Sequence, residues 1–148
     1  METMTQKEKE LLLKDLCARL PYGVKVKTLL KEPYTLKGLF DTEYGGVMGC
    51  LLGKFVPNNV SPKTVNYPLE QFKPYLFPLS SMTEEQKKEY NYWKHVVPVC
   101  HYEYGDVVEE IELYDSPESF EYLIENHFDY RGLIEKGVAI DATGLNIY

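Results

Sequence analysis

Residues 24–52, VKVKTLLKEPYTLKGLFDTEYGGVMGCLL, decide the predicted fold. They contain VKVKTLL and YTLKGLF, which alternate in polarity at period two, and VMGCLL, which is a short apolar run. Such segments are typical of β-strands, and the proline and glycine residues between them are typical of tight connections. We therefore predict an antiparallel three-stranded meander. Gly38, Gly46 and Gly49 would permit curvature, so closure into a small barrel-like sheet stays open as an alternative.

An N-terminal helix is predicted before the meander. Thr5 with Glu8 three residues later is the capping-box pattern that starts a helix, and Pro21 with Gly23 ends it. Apolar residues recur in the helix at three- and four-residue spacing. They form a predicted buried stripe of Leu12, Leu13, Leu16, Cys17 and Leu20.

A proline-rich segment follows the meander. Between residues 53 and 82 the chain contains Pro57, Pro62, Pro68, Pro74 and Pro78. Missing backbone donors and a fixed φ argue against a continuous helix or a central strand in this segment. The many apolar residues among the prolines argue against a free linker. We predict an extended strap packed on the domain, with one helical turn in residues 69–75.

A second helix and a second hairpin are predicted next. A capping box that begins at Thr83 starts a helix that should end near Trp93. Strands are expected over residues 95–104 and 106–114. They flank Gly105-Asp106, which we interpret as the hairpin turn.

The C-terminal residues predict further helices. Ser116 followed by Pro117 is a helix start, and the buried face of this helix should comprise Phe120, Leu123, Ile124 and Phe128. Asp129 is expected to cap a short helix over residues 130–136, which Gly137 ends, and residues 138–142 form a last strand. Together the elements predict a single α+β domain over residues 1–148.

Composition fits a globular domain whose core needs neither metal nor disulfide. Of 148 residues, 44% are hydrophobic and 26% charged, close to the globular average. The N-terminal residues lack the apolar stretch of about 7–15 residues that a signal peptide needs. No window approaches the roughly 18 apolar residues of a membrane span. We expect a cytoplasmic protein with its three cysteines reduced.

The net charge of −7 is unevenly distributed. Residues 1–100 carry eleven carboxylates and fourteen Lys or Arg, a net of +3, whereas residues 101–148 carry twelve carboxylates and two bases, a net of −10. A surface that binds nucleic acid needs positive charge, so direct binding of nucleic acid is not expected. A solvated acidic face is the simplest interpretation. The more specific alternatives are that the acidic residues bind a basic protein partner or mimic the charge of nucleic acid.

Four residues are candidates for binding a metal or for thiol catalysis, namely His95, Cys100, His101 and His127. Structural zinc usually takes ligands from short paired spacings, and neighbours on a strand such as Cys100 and His101 point to opposite faces. Cys17 and Cys50 lie in apolar stretches and are predicted to be buried and inert. We interpret the four candidates as structural. We predict no metal and no cofactor, since glycine motifs that bind phosphate are also absent from the sequence.

Residues 127–132 hold the densest group of polar side chains. The candidate polar site comprises His127, Asp129, Tyr130, Arg131, His101 and Cys100. A structural role for each is the interpretation we favour. In that interpretation Asp129 caps a helix, and Arg131 pairs with Glu135 or with the acidic hairpin.

Three stretches carry a resemblance to known sequences. FKPYLFPLSSMTEEQKK (72–88) and SPESFEYLIENHFDYRGLIEKGVAID (116–141), with the LCARLPYGVKV opening (16–26), resemble small uncharacterised proteins of prophage-like and other mobile elements in gut Bacteroidetes. The resemblance covers about half of the chain. It implies a bacterial cytoplasmic setting and a phage-related role, and it assigns no activity, ligand or catalytic residue.

Thirteen tyrosines are the one compositional excess, and tyrosine is enriched at protein interfaces. Together with the acidic C-terminal third and the lack of catalytic motifs, this excess favours a non-enzymatic protein-interaction module of phage or mobile-element origin. Its partner would be a host or phage protein, and neither nucleic acid nor a membrane. A small metal-dependent or Cys/His hydrolase and an acidic mimic of nucleic-acid charge are the alternatives. No oligomeric state is predicted.

Overall fold

The computed structural model describes residues 4–29, 32–43, 46–53 and 64–148. In this part of the chain, three α-helices and two open sheets confirm the predicted mixed α+β class. The capping boxes predicted at Thr5 and Thr83 are both present. In chain order the elements are α1 (Gln6–Arg19), β1 (Lys25–Lys27), β2 (Tyr34–Asp41), β3 (Val47–Leu52), β4 (Thr64–Pro68), β5 (Lys73–Pro78), α2 (Glu84–Trp93), β6 (His95–Glu103), β7 (Asp106–Tyr114), α3 (Pro117–Glu125), β8 (Phe128–Asp129) and β9 (Ile140–Asp141).

The main sheet is built on the predicted meander. β1, β2 and β3 pair antiparallel in sequence order, and β4 continues the sheet beyond β3. The strand order is β4-β3-β2-β1-β5-β8, with β9 also paired to β5. Because this order is open, the described strands do not form the barrel that was left as an alternative. Gly49 is required in β3, since a Cβ there would lie 2.6 Å from Cζ of Phe72.

The proline-rich segment contributes strands to the sheet. β4 and β5 lie in it and are separated by one 3-10 turn at Leu69–Gln71, while Pro57 and Pro62 lie outside the described residues. β5 is an interior strand between β1 and β8, so the prediction that proline excludes a central strand is wrong. A proline removes only its own donor. Few ladder bonds depend on Pro74 and Pro78, because β5 meets each of its three partners at only two residues.

Helix α1 packs against the main sheet. Leu12 and Leu16 are fully buried and share one core cluster with residues of β1, β2, β3 and β5. Cys17 is exposed and Cys50 is half-buried, so the prediction that both thiols are buried is wrong. The buried face of α1 is centred on Leu12, Asp15, Leu16 and Arg19 instead of on the all-apolar stripe.

Helices α2 and α3 pack together around a second core cluster. Their smaller core cluster contains Met82, Tyr122, Leu123 and Phe128. Phe120, which the sequence placed on this buried face, is exposed. The helix predicted over residues 130–136 is also wrong. Residues 133–137 form consecutive turns between Gly132 and Gly137, whose positive φ values of 72° and 76° are unsuited to a right-handed helix.

A charged pair lies inside the core beneath α1. Asp15 and Arg19 are completely buried, and Arg19 Nε lies 2.7 Å from Asp15 Oδ2. Arg19 Nη2 donates to Phe128 O at 2.5 Å. Arg131 Nε lies 3.2 Å from Asp15 Oδ1, an ion pair whose angle does not meet hydrogen-bond geometry. The pair therefore fastens α1 to the segment that follows α3.

Asp15→Asn should destabilise the protein by about 3–5 kcal/mol, because it leaves the buried Arg19 guanidinium without its closest counter-charge. Urea denaturation followed by circular dichroism measures this change in the free energy of unfolding. Lys9→Ala is the matched control on the same helix. It breaks a partly exposed ion pair with Glu70 (3.0 Å) and should cost less than about 1 kcal/mol. Equal losses in the two variants would contradict the role given to the buried pair.

Candidate functional site

Strands β6 and β7 form a hairpin separate from the main sheet, which we name the arm. Its register pairs nine residues of each strand, from His95 opposite Tyr114 to Glu103 opposite Asp106. The predicted hairpin is confirmed, but its turn is Tyr104-Gly105 and not Gly105-Asp106. The two turn residues have φ of 53° and 85°, as required by the two-residue turn that matches the twist of paired strands.

The register sorts the side chains of the arm onto two unlike faces. Residues directly opposite each other share a face, and neighbours along a strand alternate between faces. The apolar face consists of Val96, Pro98, Cys100, Tyr102, Val107, Glu109, Ile111 and Leu113. The acidic face consists of Glu103, Asp106, Glu110 and Glu112 together with His95, Val97, Val99, His101, Val108 and Tyr114. Glu109 is thus the one charged residue on the apolar face.

The apolar face is open to solvent along its whole length. Tyr102 is 82%, Ile111 73% and Val107 60% exposed, and Val96 and Leu113 are exposed as well. The half-buried residues of the arm all belong to the acidic face and are Val97, Val99, His101 and Val108. Within the described residues, neither face packs extensively on another element, because β6 and β7 contact chiefly each other, and the apolar face is the more exposed of the two. Contiguous exposed apolar surface of this kind indicates an interaction site.

The arm is anchored at its base, where α2 leads into β6 and β7 leads into α3. Ser116 Oγ donates to Trp93 O at 2.6 Å, and the Tyr90 hydroxyl donates to the Asp115 carboxylate. Burial, followed by the hydrogen bond to Asp115, raises the pKa of Tyr90, so this hydroxyl keeps its proton. These bonds hold both ends of the arm to the helices.

A groove between α2 and α3 lies beside the base of the arm, and we name it the aromatic groove. It has a volume of about 640 Å³ and is lined by Lys88, Glu89, Tyr92, Trp93, Tyr122, Glu125 and Asn126. An adjoining pocket adds Glu118 and Glu121. The Tyr122 hydroxyl donates to Glu89 Oε2 at 3.0 Å, and burial followed by this bond raises the pKa of Tyr122 to about 12. The groove was not predicted, and its only sequence signal was the three- and four-residue spacing of acids on α3.

Two residues of the candidate polar site, Cys100 and His101, lie on the arm. As neighbours on β6 they belong to opposite faces, with Cys100 opposite Glu109 and His101 opposite Val108. His101 Nε2 lies 3.8 Å from Glu103 Oε2 and 4.0 Å from Glu110 Oε1. The imidazole therefore faces carboxylates and not the thiol, which is unlike the geometry of a Cys–His nucleophile pair.

His127 lies in the body of the protein, away from the arm, at a turn with φ of 63°. Its ring stacks on the Tyr148 ring with centroids 3.7 Å apart. The Tyr148 hydroxyl donates to Tyr75 O at 2.7 Å and accepts from Lys25 N at 2.9 Å. Burial, followed by the positive charges of Arg19 and Lys25, lowers the pKa of His127 to about 4. At neutral pH this histidine is an uncharged packing residue.

Tyr130 and Arg131 contact the buried pair of α1, and Asp129 precedes them in the chain. The Asp129 carboxylate accepts two backbone N–H groups of the following turn, at 3.0 and 2.9 Å. The Arg131 guanidinium lies over the Tyr130 ring, 4.8 Å from its centroid. The predicted pairing of Arg131 with Glu135 or the acidic hairpin is wrong. Arg131 pairs with Asp15 instead, because the helix that would have placed Glu135 one turn away does not form.

These placements divide the candidate polar site into a group in the body and a group on the arm. The body residues hold backbone groups, rings and the buried pair in place, and the arm residues lie on its two faces. Among the described residues, no three His, Cys, Asp or Glu side chains come together in an arrangement that could hold a metal ion. What the surface of the arm and its base offers chemically is chiefly apolar, aromatic and carboxylate contact.

No family model, curated protein or solved structure matches this chain. Over the described ranges, no helix combines the length and apolar character needed to cross a membrane. The fold and the surface together define an α+β domain that carries an exposed amphipathic hairpin.

His127→Asn should remove part of the pH dependence of stability. The folded-state pKa of His127 lies below the unfolded value of about 6.5. As the pH falls, the histidine is therefore protonated in the unfolded chain before it is protonated in the folded protein. Stability is therefore lost as pH falls from about 6.5 towards 4. Asparagine accepts the positive φ and does not titrate. Chemical denaturation should show the stability advantage of wild type over this variant shrinking across that range, and a difference independent of pH would refute the assignment.

Proposed function

We propose that this protein is a non-enzymatic interaction module that binds another protein through the apolar face of its arm. The observation that carries the proposal is the exposure of that whole face, while the acidic face holds the half-buried residues. A two-stranded hairpin alone is only marginally stable in water. A bound protein would supply the missing layer over Tyr102, Val107 and Ile111, and burial of these side chains would stabilise the complex.

The tip of the arm supports the same function. Tyr104 is 99% exposed with φ of 53°, a left-handed conformation that asparagine or glycine adopts at lower cost. A tyrosine at this turn makes the turn less stable than asparagine or glycine would, and its aromatic ring is exposed to solvent. Strained residues cluster at binding and active sites, and tyrosine is enriched at protein interfaces.

The identity of the partner is narrowed by the resemblance to proteins of prophage-like elements in gut Bacteroidetes. On that basis the partner is a host or phage protein, and the setting is the bacterial cytoplasm. Metal-dependent or Cys/His hydrolysis has no comparable support, because Cys100 and His101 lie on opposite faces of the arm.

A second candidate is the acidic mimic of nucleic-acid charge. Four carboxylates share the acidic face of the arm, namely Glu103, Asp106, Glu110 and Glu112. Glu110 and Glu112 are two residues apart on β7 and lie about 7 Å from each other, while Glu103 and Asp106 pair beside the turn, with Val108 between the two groups of acids. A mimic would bind a DNA-binding protein through this face. The two candidates therefore differ in which face of the arm makes the contact.

Paired variants on adjacent residues of β7 test which face binds. Ile111→Ser removes a large side chain from the apolar face, and Glu112→Ser removes a charge from the acidic face. In quantitative affinity capture from a bacterial lysate, Ile111→Ser should reduce the captured partner at least about tenfold, as loss of an interface hot spot does. Glu112→Ser should leave the capture within about twofold of wild type.

The reverse pattern would identify the acidic face as the binding surface and support the charge mimic. Capture that neither variant changes, or no specific capture at all, would contradict both candidates. Circular dichroism of the two variants shows whether the fold is retained, so that a loss of capture reports on the surface.

Tyr104→Asn separates the role of the tip in binding from its role in the turn. Because asparagine suits the left-handed position, this variant should be at least as stable as wild type in thermal denaturation. It should nevertheless capture several-fold less partner, since the exposed ring is lost. A variant that is more stable and captures the partner equally well would show that the tip takes no part in binding.

A further inference from the structure

The arm and α3 together form one strongly acidic stretch of the chain. Residues 95–125 contain nine carboxylates and no lysine or arginine. Five of the nine lie on the arm, and the other four are Asp115, Glu118, Glu121 and Glu125 at its base and along α3. Charge of a single sign steers partners of the opposite sign and rejects partners of the same sign.

We infer that the partner presents a basic, amphipathic polypeptide segment. Its apolar side chains cover the apolar face of the arm, and one of its arginine side chains enters the aromatic groove. This inference rests on the proposed function, because it names the chemistry of the protein that the arm binds. The complementarity is twofold, since an apolar face needs apolar contact and the acidic rim of the groove needs a cation.

The aromatic groove fits a guanidinium group better than it fits an anion or a neutral side chain. Trp93 and Tyr92 stand edge to face with centroids 5.2 Å apart, and both are exposed at the groove. Arginine stacks on such rings through cation–π attraction, most strongly on tryptophan. Its planar fork also binds carboxylates with two parallel hydrogen bonds. The groove also contains Lys88, but its aromatic and carboxylate side chains offer both kinds of contact.

Two carboxylates, Glu125 of the groove and Glu118 of the adjoining pocket, are available for such a contact. Glu89 and Glu121 already accept hydrogen bonds from Tyr122 at 3.0 Å and from Tyr22 at 2.9 Å. Glu118 and Glu125, by contrast, make no hydrogen bond or ion pair within the described residues. They lie on α3, seven residues apart, so they project from the same side of the helix and are separated by about two turns.

The groove and the arm are close enough to serve one ligand. Trp93 lines the groove and is two residues from His95, the first residue of β6. The Trp93 carbonyl oxygen accepts a hydrogen bond from the hydroxyl of Ser116, the residue that caps the start of α3. An extended segment seated on the base of the arm would therefore have the groove within the reach of one long side chain.

A second copy of this chain and a nucleic acid are both less suited to the surface. A second copy would bring its own nine carboxylates against the first set, and like charges at an interface cost several kcal/mol. Nucleic acid would bring phosphates against the same acids. A basic polypeptide is the macromolecule whose charge and apolar content both match the surface.

Trp93 allows a direct test, because it is the only tryptophan in the sequence and lies in the groove. The probe is a synthetic eight-residue peptide in which arginine alternates with valine, titrated into the full-length protein while Trp93 fluorescence and calorimetry are recorded. The arginine–valine peptide should bind, and a glutamate–valine peptide of equal length should not. Raised salt should weaken the binding.

A double variant and its matched control locate the binding. Glu118→Gln with Glu125→Gln should weaken binding of the arginine–valine peptide at least about tenfold, the loss expected when charge-assisted contacts are removed. Glu43→Gln with Glu135→Gln removes the same charge from exposed sites elsewhere and should change the affinity less than about threefold.

Equal weakening by the two pairs, equal binding of the glutamate–valine peptide, or no binding of the arginine–valine peptide would overturn the inference. So would a dimer in sedimentation velocity that Ile111→Ser abolishes, because the occupant of the arm would then be a second copy. If capture still depends on the apolar face while the arginine–valine peptide fails to bind, the proposed function stands and only the partner chemistry falls.

Discussion

The antiparallel register of the arm is the constraint on which the functional account depends. Once His95 pairs with Tyr114, every residue of β6 and β7 is assigned to a face, because side chains alternate along a strand. A slip of one residue in either strand would mix the apolar and the acidic sets. The two-residue turn at Tyr104-Gly105 and the hydrogen bond from Ser116 at the base fix this register from both ends.

The body of the protein holds the base of the arm in place. Arg19 joins α1 to Phe128 through its hydrogen bond to that carbonyl, and the Phe128 side chain packs with Tyr122 and Leu123 of α3. The helix that follows the arm is therefore tied to the buried ion pair of the core. A base held in this way would lose less conformational freedom than a loose loop on binding the proposed partner, which would favour affinity.

Local patterns in the sequence predicted much of this fold, but they did not predict which residues distant in the sequence pack together. The capping residues at Thr5 and Thr83 act within one helical turn, so the starts of α1 and α2 were predicted correctly. The two strands of the arm were predicted, but their sequence did not show which face of the hairpin is covered. Asp15 and Arg19 were not singled out from the sequence, since four-residue spacing does not reveal burial. The aromatic groove depends on the packing of α2 against α3, which no local pattern encodes.

The most direct measurement uses Cys100, which lies on the apolar face, with Cys17 on α1 as an internal reference, because both thiols are exposed. Mass spectrometry would follow the rate of alkylation of each cysteine by iodoacetamide in the native protein, relative to its rate in urea. An uncovered apolar face predicts that Cys100 is modified in the native protein with no more protection than Cys17, at every protein concentration. Strong protection of Cys100 while Cys17 reacts freely would show that the chain covers this face itself, and would contradict the account.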